Sequence, residues 1–117
     1  MSVLRGTVVL VDYPYSDGTG SKVRPALVVQ EDGLNQRITD TILVAISRSP
    51  HRASSTQLLI QIETPEGTLS GLRQDSMIQC ENLLTFDQRQ IIATIGHLTP
   101  TLMRQIDGCL MAALGLP

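Results

Sequence analysis

Two polar stretches hold most of the side chains able to do chemistry. The first, Tyr15 to Val23 (YSDGTGSKV), carries Asp17 and Lys22 and runs directly into Arg24. The second, Arg48 to Thr56 (RSPHRASST), carries Arg48, His51 and Arg52, with Ser47 at its entrance. Cations, a hydroxyl and an imidazole are the groups that grip a phosphodiester and manage its protons. A guanidinium offers paired donors to phosphate oxygens, and His is the side chain that ordinarily titrates near neutral pH. Eight of the nine basic residues are Arg, Lys22 being the exception. If the strand ends that carry the two stretches are neighbours, they form one anion-attracting cleft.

Other chemistries find no footing. The chain has no HExxH, GxSxG, Walker-type phosphate loop or GxGxxG, so the enzyme classes those motifs define are excluded. SDGTGSK is rich in Gly and ends in Lys, but its spacing is wrong for a phosphate loop and no helical pattern follows it. Cys80 and Cys109 stand far apart, with no CxxC pair and no His at ligand spacing, which argues against a zinc site. No metal and no cofactor are expected, and both thiols are expected to be reduced and structural.

The chain that must position these groups has 117 residues, room for one domain. With 42% hydrophobic and 17% charged residues it should bury a core, which excludes a disordered or fibrous class. Its net charge of -2 removes the whole-domain basic signature of many nucleic-acid binders and leaves the sign of a local patch open. Without Trp, and with only Phe86, Tyr13 and Tyr15, it cannot build rows of stacking aromatics. The opening residues lack a charged segment followed by an apolar run, and no stretch approaches the length of a membrane span. The expected location is cytoplasmic, with no membrane partner.

Gly6 to Asp12 is rich in β-branched residues and predicts a strand ending near Pro14; a mobile loop should follow over Tyr15 to Val23. Arg24 to Gln30 predicts a second strand, with Pro25 at its beginning or at an edge because it cannot donate to a ladder. Glu31 to Asp40 reads as a connection, and Thr41 to Ser47 as a strand buried on both faces. Leu58 to Glu63 and Asp75 to Cys80 read as two more strands, separated by turns at Pro65, Gly67 and Gly71. Phe86 to Gln90 reads as helix or turn, and Ile91 to Ile95 fits strand or helix equally. Thr99 as cap, Pro100 as first residue, the stripe Leu102, Met103, Ile106, Leu110 and Leu114, and Gly115 as stop predict a final helix. The pattern is α+β: a small barrel or curled antiparallel sheet with one helix packed across it.

Arg5 to Val29, RGTVVLVDYPYSDGTGSKVRPALVV, resembles the amino-terminal signature of the MazF/PemK toxins: a Gly-led strand, a loop with Gly and Lys, then Arg-Pro and an apolar strand. ILVAIS from Ile42, DSMIQCENLLTFD from Asp75 and IGHLTPTLMRQIDGCLMAALGL from Ile95 agree in order, so the likeness spans nearly the whole chain as a single domain, 1–117. The resemblance implies an SH3-like small β-barrel with a C-terminal α-helix. It also implies a homodimeric toxin of a type II toxin-antitoxin pair, a metal-independent endoribonuclease that cuts single-stranded RNA (mRNA) at short sequences and is held by a cognate antitoxin. The family's functional Arg falls on Arg24, and its hydroxyl residue on Ser47, where Thr is commoner. Ser keeps the donor and acceptor but lacks the methyl that stiffens Thr.

Metal-free cleavage lets the 2′-hydroxyl attack the adjacent phosphorus and leaves a 2′,3′-cyclic phosphate, so the protein must stabilise charge on the phosphoryl oxygens. Arg24 suits that role, with Ser47 hydrogen-bonded to the same phosphate, while His51 or Asp17 assists with the proton. Lys22, Arg48, Arg52, Arg73, Ser76 and Gln79 are the candidate RNA-binding residues. Each has an ordinary alternative: Arg73 as a solvated cation, Ser76 and Gln79 as groups that satisfy strand edges, and His97 as a turn residue. Two other functions compete. A CcdB-like inhibitor of DNA gyrase would act without Arg24 or Ser47, and a catalytically silent relative would keep only antitoxin binding.

Overall fold

The computed structural model describes residues 2–48 and 54–117. Among these residues six strands form one antiparallel sheet: β1 (Thr7–Pro14), β2 (Ser21–Val28), β3 (Asp40–Ser47), β4 (Gln57–Ile60), β5 (Ser76–Asp87) and β6 (Ala93–His97), in the order β4-β5-β3-β2-β1-β6. Three α-helices accompany them among the described residues: α1 (Asp32–Arg37), α2 (Pro65–Leu69) and α3 (Pro100–Leu114). The expected architecture, a curled antiparallel small barrel with a C-terminal helix, is the one found.

Both faces of the central strands are buried. Val8, Leu27, Val44, Ile46 and Ile78 pack on one side with Leu102, Ile106 and Cys109 of α3. Val9, Val11, Tyr13, Ala26, Val28, Leu43 and Ala45 pack on the other, covered in part by Leu84 and Phe86. Continuous apolar runs are what such strands need, and removing each of these side chains from water contributes about 1.5–3 kcal/mol for the larger ones. Cys80 and Cys109 are free, buried thiols in the first cluster.

Several boundaries differ from the sequence expectations, each for a local reason. β1 continues through Pro14, and β2 begins at Ser21, so the loop shrinks to residues 15–20 of a hairpin in which the Tyr15 amide donates to the Gly20 carbonyl at 2.8 Å. Pro25 lies inside β2, yet at a local edge: β1 pairs with it through Leu10, while β3 joins only from Ala26 onward. The connection after β2 contains α1, capped by the Glu31 carboxylate, which accepts from the Gly33 and Leu34 amides at 2.7 and 2.9 Å. β4 stops at Ile60 rather than Glu63. The turn segment around Pro65 is the short helix α2, capped by Thr64.

β5 runs well past Cys80 and includes Phe86. Its ladder with β3 jumps from Ala45↔Gln79 to Val44↔Leu83, leaving Cys80, Glu81 and Asn82 bulged out. The strand therefore does not end at Cys80 but passes through a bulge that redirects it. Only Gln88–Gln90 forms a helical turn, and the ambiguous segment after it supplies β6. α3 follows its sequence signature closely: Thr99 Oγ1 accepts from the Leu102 amide, Pro100 opens the helix and Gly115 ends it in the left-handed conformation at φ +69°.

The sheet is closed by backbone against backbone. Gly71, at φ +74°, packs on the Ile95 carbonyl, and Gly96 packs on the Ser70 and Leu69 carbonyls. A Cβ at either position would overlap main-chain atoms. This contact draws the segment after β4, one edge of the sheet, onto β6, the other edge.

Candidate functional site

Arg24 stands on β2 opposite Val11 of β1. The β2–β3 register pairs Ala26 with Ala45; continued by two residues, it sets Arg24 across from Ser47, the last residue of β3. The two residues singled out by the resemblance thus lie beyond the same end of the β2–β3 ladder, though Ser47, unlike Arg24, is not part of the cleft lining. The Gly71–Gly96 closure brings residues 71–74 to the same end, where the Gln74 amide donates to the Arg48 carbonyl at 3.4 Å.

A cleft of about 420 Å³ results, lined by Arg24, Arg48, Arg73 and Ser76, with Leu10 and Ile95 among its apolar walls. The three arginines come from β2, the end of β3 and the approach to β5. Among the described residues none of them makes an ion pair; the ion pairs there are Arg5–Asp107 and Arg89–Asp87. Three cations with no carboxylate to neutralise them make the cleft positive in a chain whose net charge is -2. The Ser76 hydroxyl donates to the Gln74 carbonyl at 2.8 Å and keeps its acceptor lone pairs.

Arg24 is further held by Tyr13. Its guanidinium carbon lies 5.1 Å from the ring centroid, and the ring is buried, with its hydroxyl bonded to the Asn82 main-chain and side-chain oxygens at 3.0 and 3.1 Å. Burial pushes the Tyr13 phenol up to about 12, with the Arg24 charge opposing, so at neutral pH the hydroxyl is a donor and not a base.

A second cleft, about 390 Å³ between α1 and the turn after β5, is lined by Arg37, Gln88 and Arg89 among others. Two of its groups are already engaged: Arg89 pairs with Asp87 at 2.7 Å, and the Gln88 amide donates to the Asn35 and Ile38 carbonyls, which leaves Arg37 as its one arginine outside the ion pairs among the described residues. Three arginines outside the ion pairs, against Arg37 alone in the second cleft, mark the first as the candidate site.

Residues 4–114 match the model of the PemK-like, MazF-like toxins of type II toxin-antitoxin systems. The chain belongs to this family. It is 29% identical over 117 residues to Endoribonuclease EndoA of Bacillus subtilis strain 168, covering 99% of this chain and 97% of that one. A solved mycobacterial endoribonuclease in complex with its cognate antitoxin superimposes with a TM-score of 0.79 at 25% identity, covering 99% of this chain and 98% of the other. A chain of the MazE-MazF complex of Deinococcus radiodurans shares the fold, with a TM-score of 0.76 at 14% identity over the whole of both chains.

In this toxin the other sequence candidates lie as follows. Lys22 is exposed on β2, opposite Tyr13 and outside the cleft lining, and Gln79 is half-buried on β5 between Ala45 and Gln57. Asp17 sits at the hairpin tip, where its carboxylate accepts from the Thr19 amide and hydroxyl at 2.9 and 2.7 Å. Those bonds hold its carboxyl below the usual range, which weakens it as a base. His51 and Arg52 lie outside the described residues. Sequence reasoning missed Tyr13 and Gln74. The available signal for Tyr13 was an aromatic on β1 two residues beyond the partner of Arg24, the diagonal position that long side chains reach across a sheet.

Proposed function

We propose that this toxin is a metal-independent endoribonuclease that cuts single-stranded RNA, with Arg24 and Ser47 acting on the scissile phosphate. The observation that carries the reading is the convergence of Arg24, Arg48 and Arg73 on one cleft without carboxylate partners, joined to family membership and to the activity for which the Bacillus relative is named.

The 2′-hydroxyl attacks the neighbouring phosphorus while the bond to the 5′ oxygen breaks, giving a 2′,3′-cyclic phosphate and a 5′-hydroxyl. Arg24 stabilises the charge that builds on the non-bridging oxygens, and the Ser47 hydroxyl holds one of them. His51 accepts the 2′-hydroxyl proton, the imidazole being a better base than the turn-bound carboxylate of Asp17, and solvent water protonates the departing 5′ oxygen. Arg48 and Arg73, with Arg52 and Lys22, take flanking phosphates, and Ser76 and Gln79 take base edges. The active species is a homodimer in the cytoplasm, blocked by an acidic antitoxin segment that orders on the positive cleft.

Incubating the antitoxin-free toxin with a long single-stranded RNA in EDTA, beside Arg24→Ala, tests this. Cuts at a few sites, ending in cyclic phosphate and abolished by the substitution, are expected. Intact RNA, or cuts that persist in Arg24→Ala, would overturn it and direct the next assay to gyrase supercoiling. His51→Ala cleaving at the wild-type rate would remove His51 from the scheme.

A further inference from the structure

We infer that Tyr13 is a positioning residue that fixes the plane and direction of the Arg24 guanidinium toward the cleft, an inference that rests on the ribonuclease reading for its catalytic consequence but not for its geometry. Arg24 is opposite Val11, and Tyr13 is two residues further along β1, on the same face. That diagonal places an aromatic ring under a long side chain. With 5.1 Å between the guanidinium carbon and the ring centroid, the cation lies within the range over which the negative ring face attracts it.

The ring is itself immobilised. Tyr13 is only 2% exposed, packed with Val9, Val11, Ala26 and Ala45. Its hydroxyl donates to Asn82 at the bulge of β5, a strand not paired with β1. The bulge is what lifts Asn82 out of the ladder to meet it. Tyr13 is thus pinned at both ends, by the core along its ring and by a second strand at its tip, and presents a rigid shelf. An Arg on a bare strand end would sample many rotamers; an Arg on this shelf is preorganised before any phosphate arrives. No carboxylate holds it there, so its charge stays available to the substrate.

The test compares Tyr13→Phe, which keeps the ring and loses the hydroxyl, with Tyr13→Met, which fills the space flexibly and removes the π face. In RNA cleavage, Tyr13→Met should lower kcat by about 3- to 30-fold with KM little changed, the size of a partly desolvated cation–π contact. Tyr13→Phe should stay within about threefold of wild type, because the core-packed ring face that holds the cation remains. Equal loss in both folded variants, or no loss in Tyr13→Met, overturns the inference.

An activity-independent readout separates its failure from that of the ribonuclease reading. The Arg24 Nε–H resonance should be shifted upfield by the ring in the wild type and in Tyr13→Phe, and return to the free-arginine position in Tyr13→Met. A wild-type resonance already at the free position overturns the inference whether or not the protein cuts RNA, and it decides the matter if Tyr13→Met does not fold.

Discussion

Arg24→Lys keeps the charge of the cleft and removes the planar fork, so it separates electrostatics from geometry. We expect cleavage to fall by about 10²- to 10³-fold while the melting curve is unchanged, because Lys is a point charge without bidentate reach. At Ser47 the hydroxyl is the working group. Ser47→Ala should lower kcat/KM by about 10- to 100-fold, the worth of a hydrogen bond to a charged partner, and Ser47→Thr should retain activity. Side-by-side kinetics on one RNA check both. These two residues were legible in the sequence because a motif marks them, Arg24 beside Pro25 within β2 and Ser47 at the end of β3. Tyr13 was not, because its role depends on which residue of β2 faces which residue of β1, a register no single chain segment announces. The same buried residue sets a pH response. Tyr13 and Cys80 are both raised by burial, from 10.0 and 9.0 respectively, to about 12. Their folded forms hold protons that the unfolded chain releases, so stability is full below pH 9 and falls between about 9 and 12. Urea midpoints should drop across that window, less steeply in Tyr13→Phe; a flat profile would contradict it.

Elements show where local signals suffice. Thr99-Pro100 and Thr64-Pro65 carry the same start signal, a hydroxyl cap followed by Pro. The first heads a stripe long enough to be read as a helix, whereas the second heads five residues followed by Ser-Gly and reads as a turn. α1 hides in the same way, since its Gly and Asn are poor helix formers. There tertiary context decides: Asn35 is buried, its carbonyl oxygen accepting from Gln30 Nε2 and the Thr41 hydroxyl at 2.8 and 2.7 Å. α3 owes its place to packing. Ile106→Ala empties the centre of its contact with the sheet and should cost about 2–5 kcal/mol by chemical denaturation. Thr99→Ala should cost about 1 kcal/mol from the cap, and more in practice, because the Thr99 hydroxyl also donates to the Glu66 carboxylate at 2.8 Å and so ties α2 to α3.

For the molecule as a whole, charge matters by placement and not by sum. A net charge of -2 argues against nucleic acid only while the arginines are imagined evenly spread; the fold gathers three of them in one cleft. RNA binding should weaken as salt rises, and removing Arg48 or Arg73 should each reduce the log–log slope by about 0.7, the single-strand value per phosphate contact. A slope unchanged in both variants would place the RNA elsewhere. Light scattering of the toxin alone should return about twice the 12.7 kDa of the chain, since an isologous pair doubles the positive surface available to several nucleotides. The contact between Gly71 and Gly96 has a consequence in genetics. Neither residue touches RNA in the proposed scheme, yet any side chain at either position pushes apart the two edges whose meeting forms the cleft wall. In a host that carries the toxin without its antitoxin, survivors are selected for having lost the poison. Their mutations should therefore fall on the codons for 71 and 96 as readily as on the codon for 24, and a sequenced pool of such survivors would display the closure of the sheet as a pair of hot positions that carry no reacting group.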